Sequence, residues 1–217
     1  MFLRCHDELT LEMVTPEERK FIYDYYVKDP SWDFRQGEGI SARLAEILGF
    51  NKDKITLANS IMFTLLGTPI VYYGDEFGKR NDHDFYKEMI QLSGKDDTRF
   101  LVRGKVDWNE VEEQLGKKDS FESHIFKGLS KMIQSRKKYA AFGRGKIQWL
   151  ETKDKGLLAF KRIHEKEEIL ILINLSGKDI QYHLDTHFPF QDILGQNVKT
   201  LKNEINIEAY SYLWIEL

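Results

Sequence analysis

Apolar residues recur at helical spacing along the earlier part of the chain and at strand spacing along the later part. Phe21, Ile22, Tyr25 and Tyr26 predict a helix with one buried face. Thr15-Pro-Glu-Glu18 supplies its start: Thr15 caps, Pro16 suits the first helical position, and Glu18 completes a capping box. Asp29-Pro-Ser-Trp-Asp33 breaks that helix, and Gln36-Gly-Glu-Gly39 reads as flexible. A second helix carries Ile40, Leu44, Ile47 and Leu48 on one side and ends at Gly49. A longer third has Ile55, Ala58, Met62, Leu65 and Leu66 on its apolar side and stops at Gly67. That methionine and leucine stripe reads as core packing. Pro69 to Tyr73 is too short for a helix and reads as a buried parallel strand. Helix, glycine and buried strand form half of a barrel repeat.

Residues 79–119 read as a long polar excursion, a kind of connection that is usually functional or mobile. A helix resumes at Ser120, with Ile125, Leu129, Met132 and Ile133 on one face and Arg136, Lys137 and Lys138 near its end. Gly143-Arg-Gly145 marks a boundary, after which the period becomes two. Strands are predicted at 147–150, 157–163, 169–174, 180–184 and 210–215, with weaker runs around Ile193 and Ile205. Turn signals at Asp154-Lys-Gly156 and Ser176-Gly177 separate them, which predicts an antiparallel β-sandwich. No internal repeat or low-complexity tract interrupts this order.

Length and composition narrow the possibilities without naming a function. A chain of 217 residues can bury a real core, as one large or two small domains. With 41% hydrophobic, 31% charged and 13% aromatic residues it reads as a soluble globular protein. The net charge of −3 offers no basic field for nucleic acid or anionic membrane. The single cysteine, Cys5, excludes an internal disulfide and points to a reducing cytoplasm. Arg4, His6, Asp7 and Glu8 interrupt any apolar run at the start, so neither a signal peptide nor a transmembrane helix is expected.

The candidate chemistry begins where apolar Phe2 and Leu3 deliver adjacent His6 and Asp7, as at the end of a buried strand. An imidazole donates or accepts a hydrogen bond and a carboxylate supplies negative charge. Together they suit a hydroxyl-rich ligand and a cationic transition state. The dipeptide alone carries little weight. Cys5 beside His6 is not a thiol–imidazole couple, because neighbours in a strand point to opposite faces. Asp75 and Glu76 fall at the C-terminal end of the strand near Tyr73, where barrel enzymes place their sites. The favoured reading is that they fix the loop by accepting backbone N–H bonds. His83 reads as solvent-facing, and Trp149 and Trp214 as sandwich core, with glycan binding as the alternative.

Two stretches carry a family resemblance: Leu3-Arg-Cys-His-Asp-Glu-Leu-Thr-Leu-Glu-Met-Val14 and Gly67-Thr-Pro-Ile-Val-Tyr-Tyr-Gly-Asp-Glu-Phe-Gly78. Together they resemble the α-amylase superfamily (glycoside hydrolase family 13). Trehalose synthases are the nearest likeness, with Arg-Cys-His-Asp similar to amylosucrases. The resemblance implies an α/β plus all-β chain: the C-terminal fragment of a (β/α)8 TIM barrel, with its last two strands and helices, then an antiparallel β-sandwich. Residues 1–142 would be barrel, with a long loop at 79–119, and 143–217 the sandwich domain. Asp7 would be the carboxylate that stabilises the transition state. His6 would contact the bound glucosyl ring, and Arg99, in Asp97-Thr-Arg99, would bind the terminal glucosyl unit. No cofactor and no metal site is expected.

The resemblance implies small α-glucosides (maltose, trehalose or sucrose) as substrates, for glucosyl transfer or isomerisation. It also implies a nucleophile and an acid on earlier barrel strands, which have no counterpart in this sequence. No turnover is therefore expected from the chain by itself. Two parallel strands cannot close a barrel, so an N-terminal barrel portion or self-association is expected. The alternatives are an amylosucrase or α-glucosidase parent, a non-catalytic carbohydrate-binding or structural module, and a hydrolase using Glu8 or Glu76 as acid.

Overall fold

The computed structural model describes residues 1–5, 7–184, 191–196, 199–201 and 204–217. It divides into two compact units. One comprises Met1, Thr56–Pro69 and Lys127–Leu217, and the other Phe2–Ile55 and Ile70–Phe126. The first unit thus draws on both sides of the expected division between 142 and 143.

In the second unit, helix α1 (Pro16–Tyr26) starts with the expected capping box: the Thr15 hydroxyl accepts from Glu18 N, and Glu18 accepts from Thr15 N. Its expected buried face is only half buried. Ile22, Tyr23 and Tyr26 pack against a core of Leu11, Trp32, Ile40, Ala42, Ile47, Leu101 and Val102, whereas Phe21 and Tyr25 are exposed. The second expected helix is shorter than its pattern, because Ile40 pairs in a small sheet. Strand β1 (Leu9–Thr10) and strand β2 (Asp33–Phe34) flank β3 (Gly39–Ile40), both antiparallel, before α2 (Leu44–Ile47). Helix α3 (Lys52–Thr64) follows, with Asn51 accepting from the N–H groups of Asp53 and Lys54.

The stretch 79–119 is not the irregular loop its polarity suggested. It holds α4 (His83–Ser93), a 3-10 turn at Thr98–Val102 and α5 (Trp108–Gly116). Each begins at an aspartate whose carboxylate accepts the first free N–H groups: Asp82 from Phe85, Asp97 from Arg99, and Asp107 from Asn109 and Glu110. Polar residues that looked like loop are caps and exposed helix faces.

Helix α6 (Phe121–Lys138) starts where the Ser120 hydroxyl accepts from Ser123 N, and the short α7 (Ala140–Arg144) follows it. The remaining strands are β4 (Lys146–Trp149), β5 (Leu157–His164), β6 (Glu167–Asn174), β7 (Ile180–His183), β8 (Gln191–Asp192), β9 (Lys199–Leu201), β10 (Glu204–Ile207) and β11 (Tyr212–Glu216). They form a five-stranded sheet, β4-β5-β6-β11-β8, and a three-stranded sheet, β7-β10-β9. Ala159, Leu170, Leu172, Leu213 and Ile215 of the larger sheet share one core with Ile180, Ile205 and Ile207 of the smaller. On the other face of the larger sheet, Phe160, Ile171 and Trp214 stand side by side in register. Phe142 of α7 packs on Trp214, with ring centroids 5.0 Å apart, and Trp214 donates its indole N–H to Ser60 of α3. Strand β6 is therefore buried on both faces, which explains its unbroken apolar run in place of alternation.

Two devices close the first unit. Gly145 lets the chain leave α7, because an added Cβ there would lie 2.3 Å from the Ala141 carbonyl oxygen and 2.7 Å from that of Ile163. Gly145→Ala should cost about 1–3 kcal/mol, read as a lower urea midpoint. The second device is Arg162 on β5, fully buried, which donates to the carbonyls of Thr64, Ala141, Phe142 and Gly145 at 2.8–2.9 Å. These oxygens belong to the C-terminal ends of α3 and α7, so one guanidinium caps both. Arg136 adds bonds to Phe63 and Gly67 at the same end of α3, which ends three residues before the expected glycine.

The stretches read as the last two barrel strands behave differently from a barrel sheet. Neither 2–5 nor 69–73 carries a ladder, and every described pairing is antiparallel. Ile70 and Tyr73 are exposed instead of buried. An apolar run predicts a strand only when neighbours supply its hydrogen bonds.

Candidate functional site

Asp7 lies in a turn organised by Cys5. The Cys5 thiol faces Glu8 O at 3.2 Å, and the Asp7 and Glu8 N–H groups point at its sulfur from 3.3 and 3.4 Å. Cys5 is thus a turn residue. His6, expected to contact the sugar, lies outside the described residues.

The fold brings Asp7 together with Arg99. Arg99 Nη1 is 3.4 Å from Asp7 Oδ2, and Arg103 Nη2 donates to Asp7 Oδ1. Sequence reasoning missed Arg103. It stands at the C-terminal cap of the 3-10 turn that carries Arg99, and no local pattern in the sequence marks it. Arg99 is itself held in a fork by Asp97, at 2.8 Å from Nε and 2.7 Å from Nη2. Those bonds hold the Asp97 carboxyl below the usual carboxylate range and raise the Arg99 pKa.

The hairpin tip joins them: the Phe34 ring lies 5.0 Å from the Arg35 guanidinium carbon and 6.0 Å from that of Arg99. Arg35 and Gln36 adopt left-handed φ of 50° and 58° ahead of Gly37, and Asp33 accepts from Gly37 N. Glu8, next to Asp7, has its carboxyl pushed up by burial and then by the Asp7 charge. The result is one carboxylate, Asp7, facing two guanidinium groups, beside a second carboxyl, Glu8, that burial and its neighbour push above the usual range. This is the pairing that polar bond cleavage uses.

Asp75 plays another part. It is buried, and its side-chain partner is Arg43, whose Nη1 is 3.4 Å from Asp75 Oδ1 and also donates to Tyr73 O. The expected backbone N–H anchoring is thus replaced by an arginine from the segment before α2. Arg43 also lies 4.6 Å from the centroids of Tyr72 and Tyr73, and Gly74 bends the chain with φ +88°. Burial pushes Asp75 up, and the nearby arginines only partly oppose it. Its folded pKa therefore exceeds its unfolded one. The associated stability is fully present below the ordinary carboxylate range and is lost as pH rises through the raised value. Asp75→Asn should flatten that part of the pH dependence of the melting temperature.

Other expectations divide. Trp214 is fully buried and cannot stack on a sugar, whereas Trp149 on edge strand β4 is 56% exposed. Among the described residues no cluster of three or more His, Cys, Asp or Glu is placed to hold a metal, and no helix is long and apolar enough to cross a membrane.

No protein-family model matches the chain. It is 34% identical over 194 residues to trehalose synthase of Thermus thermophilus, across 81% of this chain and 20% of that protein. It is 29% identical over 183 residues to α-amylase 3 of Dictyoglomus thermophilum, across 81% of this chain and 36% of that one. The crystal structure of α-amylase from H. orenii superposes with a TM-score of 0.57 at 22% identity, covering 81% of this chain and 38% of that one. The chain spans between a fifth and two fifths of these relatives. It belongs to the α-amylase superfamily and corresponds to the C-terminal part of those enzymes.

Proposed function

We propose that the chain contributes Asp7, His6 and Arg99 to the sugar site of an α-glucoside-active enzyme of the trehalose synthase type, working in the cytoplasm. Asp7 stabilises the cationic transition state, His6 contacts the glucosyl ring, and Arg99 binds the terminal unit. The observation that carries this reading is the convergence of Asp7 with Arg99 and Arg103, residues far apart in sequence. The nucleophile and the acid come from outside residues 1–217, and the isolated chain does not turn over sugar. Maltose, trehalose and sucrose are the candidate substrates.

The test is to mix the chain with a separately produced upstream barrel segment, then measure mass by light scattering and maltose–trehalose interconversion. A stable complex that interconverts the two sugars supports the reading. A monomer that stays inactive and ignores the segment sinks it. One observation favours a second reading. The Glu8 carboxyl, raised by burial and by neighbouring Asp7, suits a hydrolase acid. Glucose release from p-nitrophenyl α-glucoside by the chain alone, lost in Glu8→Gln, would favour it.

A further inference from the structure

Arg4 is 3% exposed, yet its Nε, Nη1 and Nη2 all lack a hydrogen-bond partner among the described residues. Among the described residues its guanidinium lies over the ring of Tyr72, whose centroid is 5.1 Å away. Fully buried Arg43 lies over the same ring at 4.6 Å, and its Nε and Nη2 are also unpartnered. Two buried cations thus share one carboxylate, Asp75, whose bond goes to Arg43. A ring face and a shared carboxylate do not replace the water that two guanidinium groups have lost.

We propose that the Arg4 guanidinium is the receptor for one further carboxylate, bound through two parallel N–H···O bonds. The guanidinium fork matches that anion in shape and charge. Arg43 adds positive potential, and Asp75 is already engaged. The Arg4 nitrogens are buried, but neither residues 2–5 nor 70–73 pair in a ladder, so no sheet hydrogen bond has to break for a carboxylate to enter. The carboxylate comes either from a free small acid or from an aspartate or glutamate of another polypeptide segment. The proposal stands apart from the sugar-site reading, because Asp7 takes no part in it.

The experiment is thermal unfolding of the whole chain at constant ionic strength, with formate replacing fluoride. A parallel series adds the upstream barrel segment of the Thermus thermophilus trehalose synthase as a separate chain. The expected result is a saturable rise in melting temperature with one of the two, absent in Arg4→Met. A rise with formate alone assigns a free acid, and a rise with the segment alone assigns a side chain. Arg4→Lys keeps the charge but not the fork and should weaken the response roughly tenfold. In fluoride, Arg4→Met should melt at or above the wild-type temperature, since it removes an uncompensated cation. No response to either ligand, an unchanged response in Arg4→Met, or a much lower melting temperature of that variant in fluoride would each overturn the proposal.

Discussion

Arg162→Met is expected to destabilise the protein by roughly 3 kcal/mol or more, the largest single effect on stability predicted for this chain. The methionine would fill most of the space of the arginine stem, so the loss isolates the guanidinium. The carbonyl oxygens of Thr64, Phe142 and Gly145 would lose this donor, while that of Ala141 keeps the Gly145 N–H. Each such acceptor costs about 1–3 kcal/mol, offset in part by the relief of a desolvated cation. Urea unfolding followed by circular dichroism reads the change. Arg162→Lys should recover only part of it, because an ammonium offers one point of donation where the fork reaches two helix ends. A loss of unfolding free energy below about 1 kcal/mol in Arg162→Met would mean that water already serves those carbonyls.

Asp7→Asn is expected to lower glucosyl turnover of the complemented enzyme about 100- to 1000-fold, the range seen when one preorganised electrostatic partner of a transition state is removed. The fall should lie in kcat and leave KM little changed, since the lost interaction strengthens only as positive charge develops. The asparagine keeps a shape and an acceptor for Arg99 and Arg103, so far-ultraviolet circular dichroism should be unchanged. Should KM rise with kcat intact, Asp7 would be a ground-state binding group and the proposed role would fall.

The strand-rich part was the more legible in the sequence. Period two, β-branched residues and two turn signals place β5, β6 and β11 within a residue or two of where they lie. The sequence does not show which faces are buried. Trp149 and Trp214 look alike in a list of aromatics, yet one lies on an edge strand and the other between two layers.

Helix starts were readable where a capping side chain precedes an apolar period, as at Thr15 and Ser120. They were missed at Asp82, Asp97 and Asp107, because a charged helix face resembles a loop in composition. Asp7 and Arg99 came from motif likeness. Arg103, Phe34 and the buried Arg4–Arg43 pair arise from long-range contacts that no local period encodes.

A strand buried on both faces sets limits on how the protein can be handled. A polypeptide cut at residue 143 would keep every strand from β4 to β11 but lose Ser60, Thr64 and Phe142, which meet one face of the larger sheet. Phe160, Ile171 and Trp214 would then form an apolar slab open to water. Such a piece would be made well by a ribosome and recovered in inclusion bodies. Fusion partners, labels and protease sites therefore belong away from this junction, even though its glycines make it look like an invitation to cut.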